Sequence, residues 1–132
     1  MGYTMPLTKE MVTAQTDIRA SEVAARSICR KLNRRTFAVS KTFAENLVVR
    51  KVSIDGKYHD KAADAILTLL KGLEANARNR NMEPAKMKLF ISVHNGPKLL
   101  RGRRNRNFGM RLKIAKVQAV LAPAKPREKG KK

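Results

Sequence analysis

Five arginines, Arg101, Arg103, Arg104, Arg106 and Arg111, fall inside eleven consecutive residues, and Lys98 and Lys113 flank them. No acid interrupts the run: after Glu83 the next carboxylate is Glu128, and half of the thirty basic residues lie at or beyond Lys86. A guanidinium presents a planar fork of donors that matches phosphate oxygens, often in bidentate fashion. The chemistry such a run offers is the neutralisation of a polyanion. A merely solvated basic face would normally interleave Glu or Asp, and here that interleaving is missing.

The whole chain carries the same bias. Thirty Lys and Arg against ten Asp and Glu give a formal net charge of +20 over 132 residues. A compact chain with that charge repels itself unless an anionic partner neutralises it, and nucleic acid is the natural one. A second cluster, Arg30, Lys31, Arg34 and Arg35, is a further candidate patch, although cations at a helix end account for part of it. Phe108, among the arginines, is placed to stack on an unpaired base; an apolar contact with protein is the plainer use.

Other chemistry finds little support. Cys29, His59 and His94 share no zinc-ligand spacing. His59, Asp60 and Asp64 do not compose a catalytic set, because the two acids serve adequately as first-turn acids of a helix. Cys29 lies between apolar helical neighbours with no base partner, and reads as a small buried hydrophobe. The segments "DGK" and "NGPK" lack the glycine spacing of a nucleotide-gripping loop. Neither a metal, nor a cofactor, nor a small-molecule substrate is expected. The single cysteine excludes an intramolecular disulfide. The opening "MGYTMPLTKEMV" lacks the basic-then-apolar order of a secretory signal, and no apolar run approaches membrane-spanning length. A soluble intracellular protein without a membrane partner is the expectation.

The elements that must hold the arginines can be placed by pattern. Val12, Ala14, Thr16 and Ile18 alternate with polar residues and permit a short strand. "SEVAARSICRKLN" predicts a helix with Ser21 as cap, Glu22 in its first turn and Arg30 and Lys31 in its last. Thr36 is a second cap candidate, ahead of a helix to about Val49 in which Phe37, Val39, Phe43, Ala44 and Leu47 recur. "RKVSIDGKYHD" reads as a loop turning at Asp55-Gly56. Asp60 can cap the third helix, whose stripe is Ala62, Ile66, Leu69, Leu70, Leu73 and Ala77.

Pro84 forbids continuation of that helix. Residues 88–93 then form a strand with Leu89, Ile91 and Val93 on its buried face, and residues 110–121 form the partner run. In that run Leu112 and Ile114 have one parity and Val117, Ala119 and Leu121 the other, which predicts a β-bulge near Ala115 and Lys116. Asn95-Gly96 suits a hairpin turn, but turning there would pair the first strand with "PKLLRGRR", which has a weak apolar face. A kink at 95–97 and an arm that reverses within 102–109 is preferred. The expected architecture is α+β: three helices on a small antiparallel sheet, with a long basic β-hairpin arm over about 88–121. One domain spans 1–122, and "PAKPREKGKK" at 123–132 has the composition of a disordered basic tail.

The stretch "GLEANARNRNMEPAKMKLFISVHNGPKLLRGRRNRNFGMR" resembles the universal large-subunit ribosomal protein family numbered twenty-two in bacteria and seventeen in older eukaryotic naming. The likeness rests on Glu74-Ala75-Asn76-Ala77 ending a helix, the strand at 88–93, Pro97-Lys98, and the arginine-rich tip from 103 to 109. "GKYHDKAADAIL" resembles the archaeal and eukaryotic branch. The resemblance covers about residues 12–121. The segment between Val49 and Lys61 is shorter than the eukaryotic pattern, and Lys116-Val117 replaces a His-Ile pair common in the return strand.

The resemblance implies a noncatalytic constituent of the large subunit in the cytoplasm. Its body would bind and cross-link rRNA among neighbouring large-subunit ribosomal proteins, and its hairpin would reach the wall of the exit tunnel and meet the nascent peptide. The rRNA contacts are expected at Arg30, Lys31, Arg34, Arg35, Lys98, Arg101, Arg103, Arg104, Arg106, Phe108, Arg111 and Lys113. Read from charge alone, a free architectural nucleic-acid-binding protein that lays a β-arm in the minor groove is the alternative. An enzyme acting on RNA would need an acid, base or metal constellation that the chain does not display.

Overall fold

A computed structural model describes Tyr3 and residues 5–124. The element order is β1 (Val12–Ile18), α1 (Glu22–Leu32), α2 (Phe37–Val48), α3 (Asp60–Asn79), a 3-10 turn (Pro84–Lys86), β2 (Lys88–Asn95) and β3 (Ala115–Ala122). The architecture is α+β: three helices on a three-stranded antiparallel sheet of order β1-β3-β2.

The sheet is built around its last strand. On one face β3 presents Ala115, Val117, Ala119 and Leu121, all fully buried. Their cross-strand neighbours include Val12, Ala14 and Ile18 of β1 and Leu89, Ile91 and Val93 of β2. The helices bury this face with Ala25, Ile28 and Leu32 of α1, with Phe37, Ala44 and Leu47 of α2, and with the predicted α3 stripe of Ala62, Ile66, Leu69, Leu70, Leu73 and Ala77; Val39, which the α2 pattern also includes, is exposed instead. Burial of that apolar set is the main driving force for the body. Cys29 belongs to the same core, where burial pushes its thiol up to about 12.

The opposite face is partly covered. Gln118 and Val120 of β3 are buried there, and with Phe90, Tyr3 and Met5 they line a small cavity of about 190 Å³.

Side-chain bonds tie helices to strand edges. Asn76 Nδ2 of α3 donates to the Thr13 carbonyl of edge strand β1 at 3.4 Å, and Arg80, just past α3, donates through Nη1 to the Met11 carbonyl just before β1 at 2.9 Å. Ser40 Oγ, fully buried, donates to the Leu32 carbonyl at 3.0 Å and satisfies an orphan acceptor at the end of α1. Lys41 of α2 binds Glu74 of α3 at 2.7 Å, and Arg78 binds the same carboxylate. The Lys41 hydrogen bond is the main cause that holds the Glu74 carboxyl below the usual carboxylate range.

Two local expectations need correction. The predicted bulge is absent from β3, whose pairing with both neighbours runs without interruption from Ala115 to Leu121. The parity change instead marks the exit of the chain into the arm. The Gly96 N–H donates to the Ile114 carbonyl, and the next bridge is Leu100 to Arg111, so three residues, 97–99, lie opposite two, 112–113. The extra residue is on the proline-bearing side, where Pro97 has no N–H to give a ladder.

Asp60 is not the cap of α3. His59 takes that place with a left-handed backbone, φ 49°, and the Asp60 carboxylate binds Arg50 at 2.7 Å. Ser21 and Thr36 do occupy the cap positions of α1 and α2, but neither side chain bonds its helix.

The turn at Asp55-Gly56 is as the sequence suggests. Both residues have positive φ, 50° and 73°, and Ile54 and Lys57 exchange backbone bonds at 2.9 Å across it, the pattern of a type I′ turn. Of the expected basic tail, residues 125–132 lie outside the described residues. No helix among the described residues is long and apolar enough to cross a membrane.

Candidate nucleic-acid interface

The arm continues the β2 and β3 pair beyond the body. The Leu112 N–H donates to the Leu99 carbonyl at 2.8 Å, and the Arg101 N–H to the Met110 carbonyl at 2.9 Å. The reversal falls where the glycines predict, within 102–109. Asn105 accepts from Phe108 through its backbone carbonyl and from the Asn107 N–H through its side chain, and Gly109 closes the turn at φ 79°. A glycine suits that last position because an L side chain rarely adopts such a φ.

This turn places Arg103, Arg104 and Arg106 at the tip, all exposed. Interleaved with the cations are exposed apolar side chains: Leu99, Leu100, Phe108 and Met110 are each 48–67% accessible. Ordinary solvent-exposed hairpins bury one apolar face on a core, but this arm has no such face. Its surface offers charge for phosphates and apolar groups for base faces.

Arg101, Arg111 and Lys113 sit nearer the root and come together around one notch. That notch, of about 540 Å³, is also lined by Arg19 and Ser21 at the start of α1 and by Lys61 in the first turn of α3. Lys98 lies on the outgoing side of the arm and does not line the notch.

The second cluster is held by a different device. After α1, Arg34 adopts a left-handed backbone with φ 62°, and its N–H donates to the Leu89 carbonyl at 2.8 Å. The Leu89 N–H donates in turn to the Arg35 carbonyl at 2.8 Å, and Thr36 bridges Lys88. Asn33 Oδ1 accepts from the Ile91 N–H at 3.2 Å. The α1–α2 connection is thus stitched to the outer edge of β2, which protects that edge from pairing elsewhere and fixes Arg34 and Arg35 on the surface. Arg30, Lys31, Arg34 and Arg35 are all exposed, and the clefts that Arg30 and Arg34 border share no residue with the notch.

Among the described residues, no ion pair involves any of the eleven charged residues expected from the sequence to contact rRNA. Four acids are paired with other cations: Glu22 with Arg26, Glu74 with Lys41 and Arg78, Asp60 with Arg50, and Glu83 with Lys86. No group of three His, Cys, Asp or Glu among the described residues is placed to hold a metal ion.

Two notch residues, Arg19 and Lys61, escape a search for dense basic runs, because each stands alone in sequence. A signal did exist. A cation at a helix N-terminus opposes the helix dipole, and Arg19 and Lys61 both lie at helix starts.

A small α+β body with an arm of unpaired cations has the build of a protein that engages a polyanion. Comparison with known proteins gives that class a particular likeness. The chain is 24% identical over 147 residues to the large ribosomal subunit protein uL22 of Methanocella arvoryzae, spanning 92% of this chain and 95% of that protein. The similarity is therefore to the family that the arm and the third helix already resemble in sequence. No family model matches the chain.

Proposed function

We propose that this protein is a structural constituent of the large ribosomal subunit that binds and cross-links rRNA. The observation that carries the reading is the near end-to-end similarity to an archaeal uL22, in a chain whose arm carries unpaired cations and exposed apolar groups together. The contacts fall to Lys98, Arg101, Arg103, Arg104, Arg106, Phe108, Arg111 and Lys113 on the arm, and to Arg30, Lys31, Arg34 and Arg35 on the body. The arm, whose tip has no core of its own, takes its place among RNA segments and reaches the wall of the nascent-peptide exit tunnel. Residues 1–122 act as one domain, followed by a basic tail. The working location is the cytoplasmic ribosome, with large-subunit rRNA, neighbouring large-subunit proteins and the nascent peptide as partners, and the role is noncatalytic.

The test is the salt dependence of binding to a structured rRNA fragment. Each phosphate contact displaces condensed counterions, with a log–log slope of about 0.7–0.9 per contact. A fall in affinity of more than about two log units per tenfold rise in salt is the expected result. A shallower dependence would mean few phosphate contacts and would contradict an extended basic interface.

A further inference from the structure

We propose that the notch between the arm and the body is a seat for an RNA backbone phosphate, and that its occupant clamps the arm to the body. The inference rests on the reading of this chain as an RNA-binding protein and goes beyond it, because it names a site that two body residues outside the basic runs complete. Arg19 and Lys61 come from the body, and Arg101, Arg111 and Lys113 from the arm. No acidic side chain lines the notch, and none of these five cations makes an ion pair among the described residues. Of the neighbouring carboxylates, Glu22 is engaged with Arg26 and Asp60 with Arg50, while Asp17 lies on β1 opposite Lys116 and does not line the notch.

Five like charges around one concavity repel one another, and the repulsion between the body pair and the arm trio pushes the arm away from the body. An anion in the notch reverses the sign of that coupling. The helix termini add to it. Ser21, the cap residue of α1, lines the notch and its side chain makes no cap bond to its helix, and Lys61 lies in the first turn of α3. Both termini carry partial positive charge and favour an anion.

Three of the five cations are arginines, whose forks match phosphate oxygens in bidentate fashion, and the reading of the chain as an RNA binder makes a phosphodiester the occupant. The volume, about 540 Å³, falls in the range of roughly 300–1,000 Å³ typical of ligand pockets. It accommodates a phosphodiester together with part of its ribose.

The experiment has two arms, both with the full chain. In the first, 15N-labelled protein is titrated with inorganic phosphate at constant ionic strength. The amides of Ser21, Glu22, Leu112 and Lys113 are expected to shift along one saturating isotherm, while those of Lys51 and Lys57 drift linearly. The Arg19→Ala/Lys61→Ala variant should lose the saturation. Linear drift everywhere, an adventitious ion only, or saturation undiminished in the variant would overturn the seat.

In the second arm, binding to a structured RNA hairpin is compared for that variant and for a charge-matched control, Lys51→Ala/Lys57→Ala. All four side chains are exposed, and circular dichroism checks that each variant is folded. The notch variant should bind about tenfold more weakly, with a salt slope smaller by about 1–2, and the control should lose markedly less. Equal losses would overturn the seat while leaving RNA binding intact. Failure of the unmodified chain to bind RNA at all would sink the broader reading and the phosphodiester assignment with it.

Discussion

Gly96 packs directly against Ile114 where the arm leaves the sheet. A Cβ at Gly96 would lie 2.6 Å from Ile114 Cγ2 and 2.9 Å from its backbone carbonyl atoms, and the two residues share a hydrogen bond of 3.0 Å. Backbone atoms cannot yield to a methyl group as a flexible side-chain end can. The close approach therefore sets the angle at which the arm departs.

Gly96→Ala should accordingly strain the arm root by about 1–3 kcal/mol, the usual scale of overpacking. Faster amide hydrogen exchange is expected at Leu112 and Arg101, whose N–H groups bond across the arm, with little change at Ala119 in the sheet centre. Unaltered exchange along the arm would show that the contact does not set its geometry.

Leu70 is fully buried in the stripe of α3, whereas Lys71 is exposed. Leu70→Asp leaves an uncompensated charge in the core and should cost on the order of 3–5 kcal/mol or more. Lys71→Asp should stay within about 0.5 kcal/mol. Thermal melts of the two variants would be well separated, and coincident melts would mean that the helix faces are misassigned.

Acid should loosen the α2–α3 contact before it unfolds the core. Lys41 and Arg78 hold the folded Glu74 carboxyl below its ordinary value of 4.5. A depressed carboxylate contributes stability that is fully present above the unfolded value and is lost as pH falls from about 4.5 through the folded one. Both partners remain partly accessible, so the contribution is held to about 1 kcal/mol by solvent screening. Glu74→Gln should remove the stabilisation at neutral pH and flatten the stability profile below 4.5. A profile as steep as that of the unmodified chain would assign the acid sensitivity elsewhere.

Cys29, buried and with its thiol pushed up to about 12, remains protonated at neutral pH. A thiol-specific reagent should label it slowly in native protein and rapidly in denaturant. Equal labelling rates would indicate that the α1 core face is open to solvent.

The third helix could be read almost residue by residue, because six apolar residues recur at helical spacing and Pro84 stops the pattern. The Asp55-Gly56 turn was equally readable, since few residue pairs accept two positive φ angles in succession. What escaped was tertiary. The parity slip between Ile114 and Val117 suggests a bulge in β3, because pattern alone cannot tell a displaced residue in the central strand from one in its partner. The extra residue lies opposite, beside Pro97. Arg19 and Lys61 join the arm cations only after folding brings two helix starts beside the arm root. His59, with a left-handed backbone, takes the cap position expected for Asp60, which is the first helical residue and pairs with Arg50.

The central claim is that this chain is built into large ribosomal subunits through RNA. A sucrose-gradient profile of cell extract, with and without RNase and at moderate salt, tests it most directly. The protein is expected to sediment with large subunits, resist release by salt and move to the top of the gradient once the RNA is digested. Sedimentation with chromatin, or a position unchanged by RNase, would contradict it.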